Sequence, residues 1–428
     1  MNATSYTFLS SFYNKFTDRT DQRHLQTMQE LLDLFSVDPS TMSIVQIAGS
    51  CGKGSTAHYI SAMLTAANVS HGLFTGPHLE AYEERIQING TPIASEDFDA
   101  LLLRIKTKLD EHPIENAGHM HMMILAALFW YSEQGLSLII FENGVGGRSD
   151  PSNILEPTIA VLTEMTLDHA DLLGGTIQDI ANDKAAIVKP CTKQLIMSIE
   201  NKAAQTTVVN SIKRVPITQL NSDFFVHWEG DQLHYKGLSH SIKGLPMISA
   251  ALYQKNNAAT ALAVIEALQV NGVSINWPKA TSALEWTTIP CRYEKLARDG
   301  KDILIDGAHN PFELQALVAA MQADSFMPER VVVSFTSGRS LHDMIQSLSP
   351  INATFDVIAS PFVERRISLQ MISTELDAAN ISWTYYEDID DYVTHHLPTS
   401  GKILITGSLY LAGYIRKTLA QSVETLNN

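Results

Sequence analysis

The segment IVQIAGSCGKGSTAHYI, residues 44–60, holds the most specific chemistry in the chain. A β-rich run enters a turn containing Gly49, Gly52 and Gly54, and a helix-compatible stretch follows with Ser55 and Thr56 at its start. Glycines let the backbone curl so that successive amides face one anion, and the following helix adds its positive end. In such a turn Lys53 neutralises terminal phosphate oxygens, and Ser55 or Thr56 reaches a magnesium ion. The interval from Gly49 to Lys53 is shorter than in the GxxxxGK(S/T) loop, so that pattern is not strictly matched. The plainer reading is a glycine-rich strand-to-helix turn; strand, turn, lysine, hydroxyl and helix in the required order favour phosphate binding.

Three later segments add groups that a phosphate loop lacks. In FENGVGGRSDPSN, Glu142 follows an apolar strand and is expected at its carboxyl end, as a magnesium ligand directly or through water. In TEMTLDHADLLGGTIQDIANDKAAIVKP, another strand ends before Asp168 and His169, and Lys184 falls on a helical stretch. Taken singly, His169 divides evenly between a structural histidine and a ligand, and Lys184 reads as a solvated helix residue. In DILIDGAHNPFELQAL, Asp306, His309 and Asn310 lie between a buried-looking strand and a helix. They can cap that helix, project into a cleft, or do both.

The elements that must position these groups follow from periodicity. Phe8, Phe12 and Phe16, then Met28, Leu31, Leu32 and Phe35, predict two entry helices, with Asp21 as a cap before the second. SIVQIAG, HGLFTG, SLIIFENG, TIAVLTEM and KQLIMSI alternate with helical patterns, which predicts a largely parallel sheet binding ligands beyond its strands' carboxyl ends. DILIDGAHN, RVVVSFTSG, TFDVIASPF and KILITGSLY repeat the α/β rhythm in a smaller unit. Between the two series, Pro290 and lost periodicity over residues 285–297 suggest a hinge.

At 428 residues, 45% of them hydrophobic, the chain exceeds the usual single domain, so two domains are expected. A formal net charge of -16 opposes nonspecific binding to nucleic acid or anionic membrane, so an anionic substrate needs a local cluster of donors. Cys51, Cys191 and Cys291 are odd in number and widely spaced, which argues against a disulfide framework or a metal knuckle. No stretch approaches eighteen uninterrupted apolar residues and the first residues lack a signal-peptide pattern, so a cytoplasmic protein is expected.

In their order, AGSCGKGST, LFTGPHLEAYEERIQINGTPI, ENGVGGRSDPSN, LDHADLLGGTIQDIANDKAAIVKP, PCRYE, DGAHNP and TGSLYL resemble the folylpolyglutamate and dihydrofolate synthases of the Mur ligase superfamily. The resemblance spans nearly the whole chain. It implies an α/β protein: a P-loop central ATPase domain with a mainly parallel sheet (residues 1–290) and a smaller Rossmann-like carboxyl-terminal domain (291–428). Nucleotide would lie in the cleft between them, and domain closure would keep water from an acyl phosphate. The implied reaction is ATP-dependent transfer of L-glutamate to a reduced folate, with ATP and Mg2+ required. Dihydrofolate synthesis from dihydropteroate is the alternative enzyme reading, and a catalytically weakened nucleotide-binding regulator the non-enzyme one.

Residue by residue, the resemblance places Gly49, Gly52, Lys53, Gly54, Ser55 and Thr56 on the ATP phosphates, with Asn257, Arg292 and Asp306 as further nucleotide contacts. Ser55, Glu142 and His169 would hold metal. Lys53, His169 and Lys184 would be catalytic, Lys184 matching a lysine that is carbamylated in many members. His309, Ser408 and Tyr410 would face the incoming glutamate. Small-molecule partners and a monomer are implied. The chain departs from the pattern at Gly76, where a metal-assisting serine is usual, at Cys51 in place of asparagine, at Met122 in HMHMMILAALFWY, and in TSGRSLHD near residue 340. Thr75 would have to substitute for the missing serine, and the methionine-rich stretch reads more simply as a soft apolar helix face than as an altered pocket.

Overall fold

The eight strands of the first sheet include all five apolar runs from SIVQIAG to KQLIMSI. In chain order these are β1 (Ser43–Ala48), β2 (Gly72–Phe74), β3 (Ile86–Ile88), β4 (Thr91–Pro92), β5 (Leu138–Glu142), β6 (Ile159–Leu162), β7 (Gln194–Met197) and β8 (Ile217–Gln219). Their spatial order is β4-β3-β2-β5-β1-β6-β7-β8. All neighbours from β2 to β8 pair in parallel, and only β3 and β4 turn antiparallel at one edge. β1 lies between β5 and β6, and its Ile44, Val45, Ile47 and Ala48 are buried, as expected for a strand covered on both faces.

The computed structural model describes residues 1–13, 23–230, 232–249, 251–298, 300–361 and 363–424. Its contacts divide the chain into one unit of Met1–Met247 with Lys255–Thr287, and another of Ile248–Gln254 with Thr288–Asn428. In the first unit the entry helices are Ala3–Ser10 and Arg23–Phe35, the former capped by the Asn2 side chain on the Ser5 amide; Phe16 and Asp21 lie outside the described residues. Leu9, Met28, Leu31, Leu32 and Phe35 join a core with Phe98, Met122, Met123 and Phe141. The methionine-rich segment is thus a buried helix, His119–Glu133, whose Met122 and Met123 are core residues.

The first unit also holds a three-stranded antiparallel sheet that the periodicity did not foretell: β9 (Phe225–Glu229), β10 (Gln232–Lys236) and β11 (Ser241–Pro246). The second unit has β12 (Glu294–Arg298), β13 (Lys301–Ile305), β14 (Arg330–Val333), β15 (Thr354–Ile358), β16 (Trp383–Tyr386) and β17 (Gly401–Thr406), ordered β12-β13-β17-β14-β15-β16. It is parallel apart from β12. Most of the last residues of the expected hinge therefore form an edge strand, because Glu294–Arg298 folds back on β13 as a hairpin.

Candidate active site

β1 delivers the glycine loop to the carboxyl edge of the first sheet, and the helix Lys53–Ala66 leaves it. Gly52 adopts φ +86, a left-handed conformation that an L side chain strains to reach. A Cβ there would also lie 2.4 Å from Asn257 Oδ1, and one on Gly49 would lie 1.9 Å from Thr163 Oγ1. The loop is pinned to the segment after β6: the Ser50 and Cys51 amides donate to the Glu164 carbonyl at 2.8 and 3.2 Å, and the Thr166 amide donates to Ser50 Oγ at 3.1 Å. The first-turn amides of Lys53 and Gly54 have no intrahelical acceptors and lie at the helix end where an anion binds.

Glu142 closes β5 and is 4% exposed. Its Oε2 accepts the Thr75 hydroxyl at 2.5 Å and the Gly76 amide at 3.1 Å, and a Cβ on Gly54 would lie 3.2 Å from the same oxygen. The carboxylate therefore stands directly against the loop. Asp168 and His169 follow β6, on the other side of β1. Neighbouring strands lie about 4.8 Å apart, so the ends of β5 and β6 are separated by about 10 Å across the loop. His169 takes φ +55 ahead of the short helix Ala170–Leu173, with Nε2 3.7 Å from Asp168 Oδ2.

Lys184 is 3% exposed on the helix Ile177–Ala185 and donates from Nζ to the Gly49 carbonyl at 2.8 Å. Lys53 curls back to the same carbonyl at 3.0 Å and to that of Ser50 at 3.2 Å. Burial, reinforced by the charge of Lys53, brings the Lys184 ammonium down to about 7, with Asp183 and Asp168 opposing the shift. The plain expectation of a solvated helix lysine is corrected here: the helix turns this residue into the site.

Asp183, which the sequence reading did not single out, fixes that geometry. Its carboxylate accepts the Gly147 amide at 2.7 Å and the Ser149 hydroxyl at 2.6 Å, while its carbonyl accepts the Arg148 amide at 2.9 Å. A Cβ on Gly147 would approach the Lys184 carbonyl to 2.7 Å. The paired glycines after Glu142 were the available signal, since close backbone approach is one reason for such a pair.

Magnesium and nucleotide phosphate fit the residues present. Thr56 Oγ1 is buried beside the loop and makes no hydrogen bond, while Glu142 offers a buried carboxylate against the same turn. Ser55 is buried at the helix start.

A second group of rings and charge adjoins Glu142 through Gly76. A Cβ on Gly76 would lie 3.1 Å from Arg85 Nη1, so the absent side chain makes room for the guanidinium. Arg85 Nε donates to His78 Nδ1 at 2.9 Å; the His78 and Tyr82 rings are 4.3 Å apart, and His119 stacks on Tyr13 at 4.6 Å. Burial, then the charge of Arg85, lowers His78 to about 3 and His119 to about 4, so both rings are neutral near pH 7. Sequence spacing gave no sign of this cluster, which draws on three separate segments: Tyr13, residues 76–85 and His119.

In the second unit, Asp306 is 3% exposed and follows β13. Its oxygens accept the Tyr253 hydroxyl at 2.5 Å and the amides of Tyr293 and Ala308, each at 2.8 Å, so it organises its own turn. Arg292 Nη1 would lie 3.0 Å from a Cβ on Gly307. Asn310 caps the helix Pro311–Ala323 through the Glu313 amide. His309 Nδ1 is 3.0 Å from Glu313 Oε2, which also accepts the His309 amide. Burial acts to raise the Glu313 carboxyl, yet His309 and Arg292 hold it well below the usual range. Ser408 is buried ahead of the helix Leu409–Glu424, and Tyr410 is exposed on it. Thus Lys53, Glu142, Asn257 and Lys184 meet at one loop in the first unit, while Arg292, Asp306 and His309 cluster within the second.

Residues 47–267, just over half of the chain, match the Mur ligase middle domain. The chain is 28% identical over 412 residues to the dihydrofolate synthase/folylpolyglutamate synthase of Bacillus subtilis (strain 168), covering 92% of this chain and 94% of that protein. It is also 28% identical over 396 residues to the folylpolyglutamate synthase of Lacticaseibacillus casei, covering 88% and 89%. Its fold matches the Mycobacterium tuberculosis folylpolyglutamate synthase complexed with ADP with a TM-score of 0.83, 22% identity and 97% of each chain covered. It likewise matches the Yersinia pestis bifunctional enzyme complexed with AMPPNP and manganese with a TM-score of 0.82, 21% identity and 98% of each chain covered. The middle-domain match, which spans just over half of the chain and contains the glycine loop, makes this chain a member of the Mur ligase superfamily.

Proposed function

We propose that this protein is an ATP-dependent carboxylate–amine ligase that adds L-glutamate to a reduced folate. The observation that most supports the reading is Lys184, a buried amine hydrogen-bonded to the phosphate loop itself. A plain nucleotide hydrolase has no use for it. An amine brought down to about 7 by burial is substantially neutral near pH 7 and can add CO2, releasing one proton and leaving a carbamate anion. That carbamate would turn toward the site as an oxygen donor beside Glu142 and His169. Those two residues with Ser55 would hold magnesium, which when bound offsets the charge of the phosphates.

In the reaction, an acceptor carboxylate oxygen attacks the γ-phosphorus of ATP, the bond to the β,γ-bridging oxygen breaks, and ADP leaves. The glutamate amine then attacks the acyl carbon, loses a proton, and phosphate departs as the amide forms. Lys53, moved off the Gly49 carbonyl, would stabilise charge on the transferred phosphoryl group. Gly49, Gly52, Gly54, Ser55 and Thr56 would line the phosphates, with Asn257 beside Gly52 and Arg292 and Asp306 completing the nucleotide contacts. His309, Ser408 and Tyr410 would receive glutamate. Arg85, adjoining Gly76, supplies a cation for the acceptor, and the neutral His78, Tyr82 and His119 rings supply flat surfaces beside it.

A second reading, dihydrofolate synthesis from dihydropteroate, is favoured by the double name of the Bacillus relative. Turnover with tetrahydrofolate and with dihydropteroate, each with glutamate, ATP and Mg2+, separates the two. The leading reading expects a glutamylated tetrahydrofolate at the higher kcat/KM; equal or faster turnover of dihydropteroate would reverse the order.

A further inference from the structure

We infer that the outer face of the three-stranded sheet holds a site for a divalent transition-metal ion, formed by His227, Glu229 and His234. It is remote in chemistry from the oxygen-rich magnesium site. His227 and Glu229 are two apart on β9 and so share a face, and His234 on β10 is the register partner of His227. The two imidazoles stack at 4.7 Å with an interplanar angle of 15°, and one donor atom from each of the three residues lies within 4.8 Å of the others. His234 Nε2 is buried and makes no hydrogen bond, although Glu229 Oε2 is 3.3 Å away.

A tetrahedral ion with bonds of about 2.0–2.2 Å needs donors about 3.4 Å apart. Imidazole nitrogens bind in the ring plane, so the two nearly parallel rings must rotate about χ2, and the exposed Glu229 side chain must turn, for all three donors to aim at one ion. Two imidazoles with one carboxylate suit Zn2+, Ni2+ or Cu2+, whereas Mg2+ prefers an all-oxygen shell and near-octahedral geometry. Lys236 follows His234 on the same face and its charge tempers affinity. The plainer reading, an ion pair of His234 with Glu229 under a stacked ring, gives the buried Nε2 a carboxylate at 3.3 Å without hydrogen-bond geometry. A bound ion uses that lone pair and ties β9 to β10 across their turn, where the opposite face already buries Phe224, Leu233 and Tyr235.

Calorimetric titration of the metal-stripped full chain with Zn2+, in excess Mg2+ to occupy oxygen sites, tests the site. The expected result is one equivalent of micromolar affinity that His227→Ala/His234→Ala removes and Glu229→Gln weakens at least fivefold. Tetrahedral Co2+ absorption bands should vanish in the same double variant, with circular dichroism confirming its fold. Should the double variant fail to fold, His227→Gln gives the same comparison. An unchanged stoichiometry and affinity in the folded double variant, or in Glu229→Gln and His227→Gln together, would overturn the assignment.

Discussion

At the scale of single residues, the decisive feature is that Lys184 is held almost dry against a backbone carbonyl. A lysine in water keeps its proton to beyond pH 10, and here the folded state releases it near 7. Between those values the unfolded chain binds more protons than the folded one, so this group makes stability rise with pH from about 7 to about 10.5 and leaves its full cost in place below 7. Lys184→Met is therefore expected to raise the thermal midpoint at pH 6, by a gain of roughly 1–3 kcal/mol after loss of the hydrogen bond to Gly49. The gain should shrink toward pH 10, while ligase turnover is lost at every pH. Thermal melts across that range check it, and a variant less stable than wild type at pH 6 would mean that burial does not penalise this amine. The sequence placed Lys184 on a helix but could not reveal its burial, because burial depends on Gly147 and Ser149, from the segment after β5, docking on the neighbouring Asp183.

At the scale of elements, the phosphate loop was legible because its chemistry is local: glycines, a lysine and two hydroxyls between a strand and a helix. Its supports were not legible, since Thr163, Glu164 and Thr166 reach it across 115 or so residues through the β1–β6 pairing. Gly52 shows how tightly those supports constrain it. Gly52→Ala must hold a left-handed backbone at a cost of about 1–2 kcal/mol, and its methyl meets Asn257 Oδ1 at 2.4 Å. The expected outcome is ATP affinity weakened at least tenfold with the rest of the first unit folded; equilibrium nucleotide binding measures it, and an unchanged Kd would show that the loop does not contact phosphate. The antiparallel β9–β11 sheet escaped notice for a different reason. Its strands are short and mostly half-exposed, with histidines and lysines where alternation would otherwise show.

For the molecule as a whole, the repeated α/β rhythm was enough to indicate two sheets, and each is mostly parallel with its own buried core. No helix among the described residues is long and apolar enough to cross a membrane. A net charge of -16 leaves anion binding to local features, and the glycine loop with Lys53 and Lys184 is such a feature. What the rhythm could not convey is the group of rings and the guanidinium beside Gly76, which come together only through tertiary packing. The most direct test of the ligase account is to incubate the purified protein with ATP, Mg2+, tetrahydrofolate and labelled glutamate, and to quantify ADP and labelled folate together. The account predicts one ADP per amide formed, negligible ADP when either acceptor or glutamate is omitted, and turnover lowered roughly 100- to 1,000-fold in Lys53→Ala. ADP release without amide, or full activity in Lys53→Ala, would contradict it.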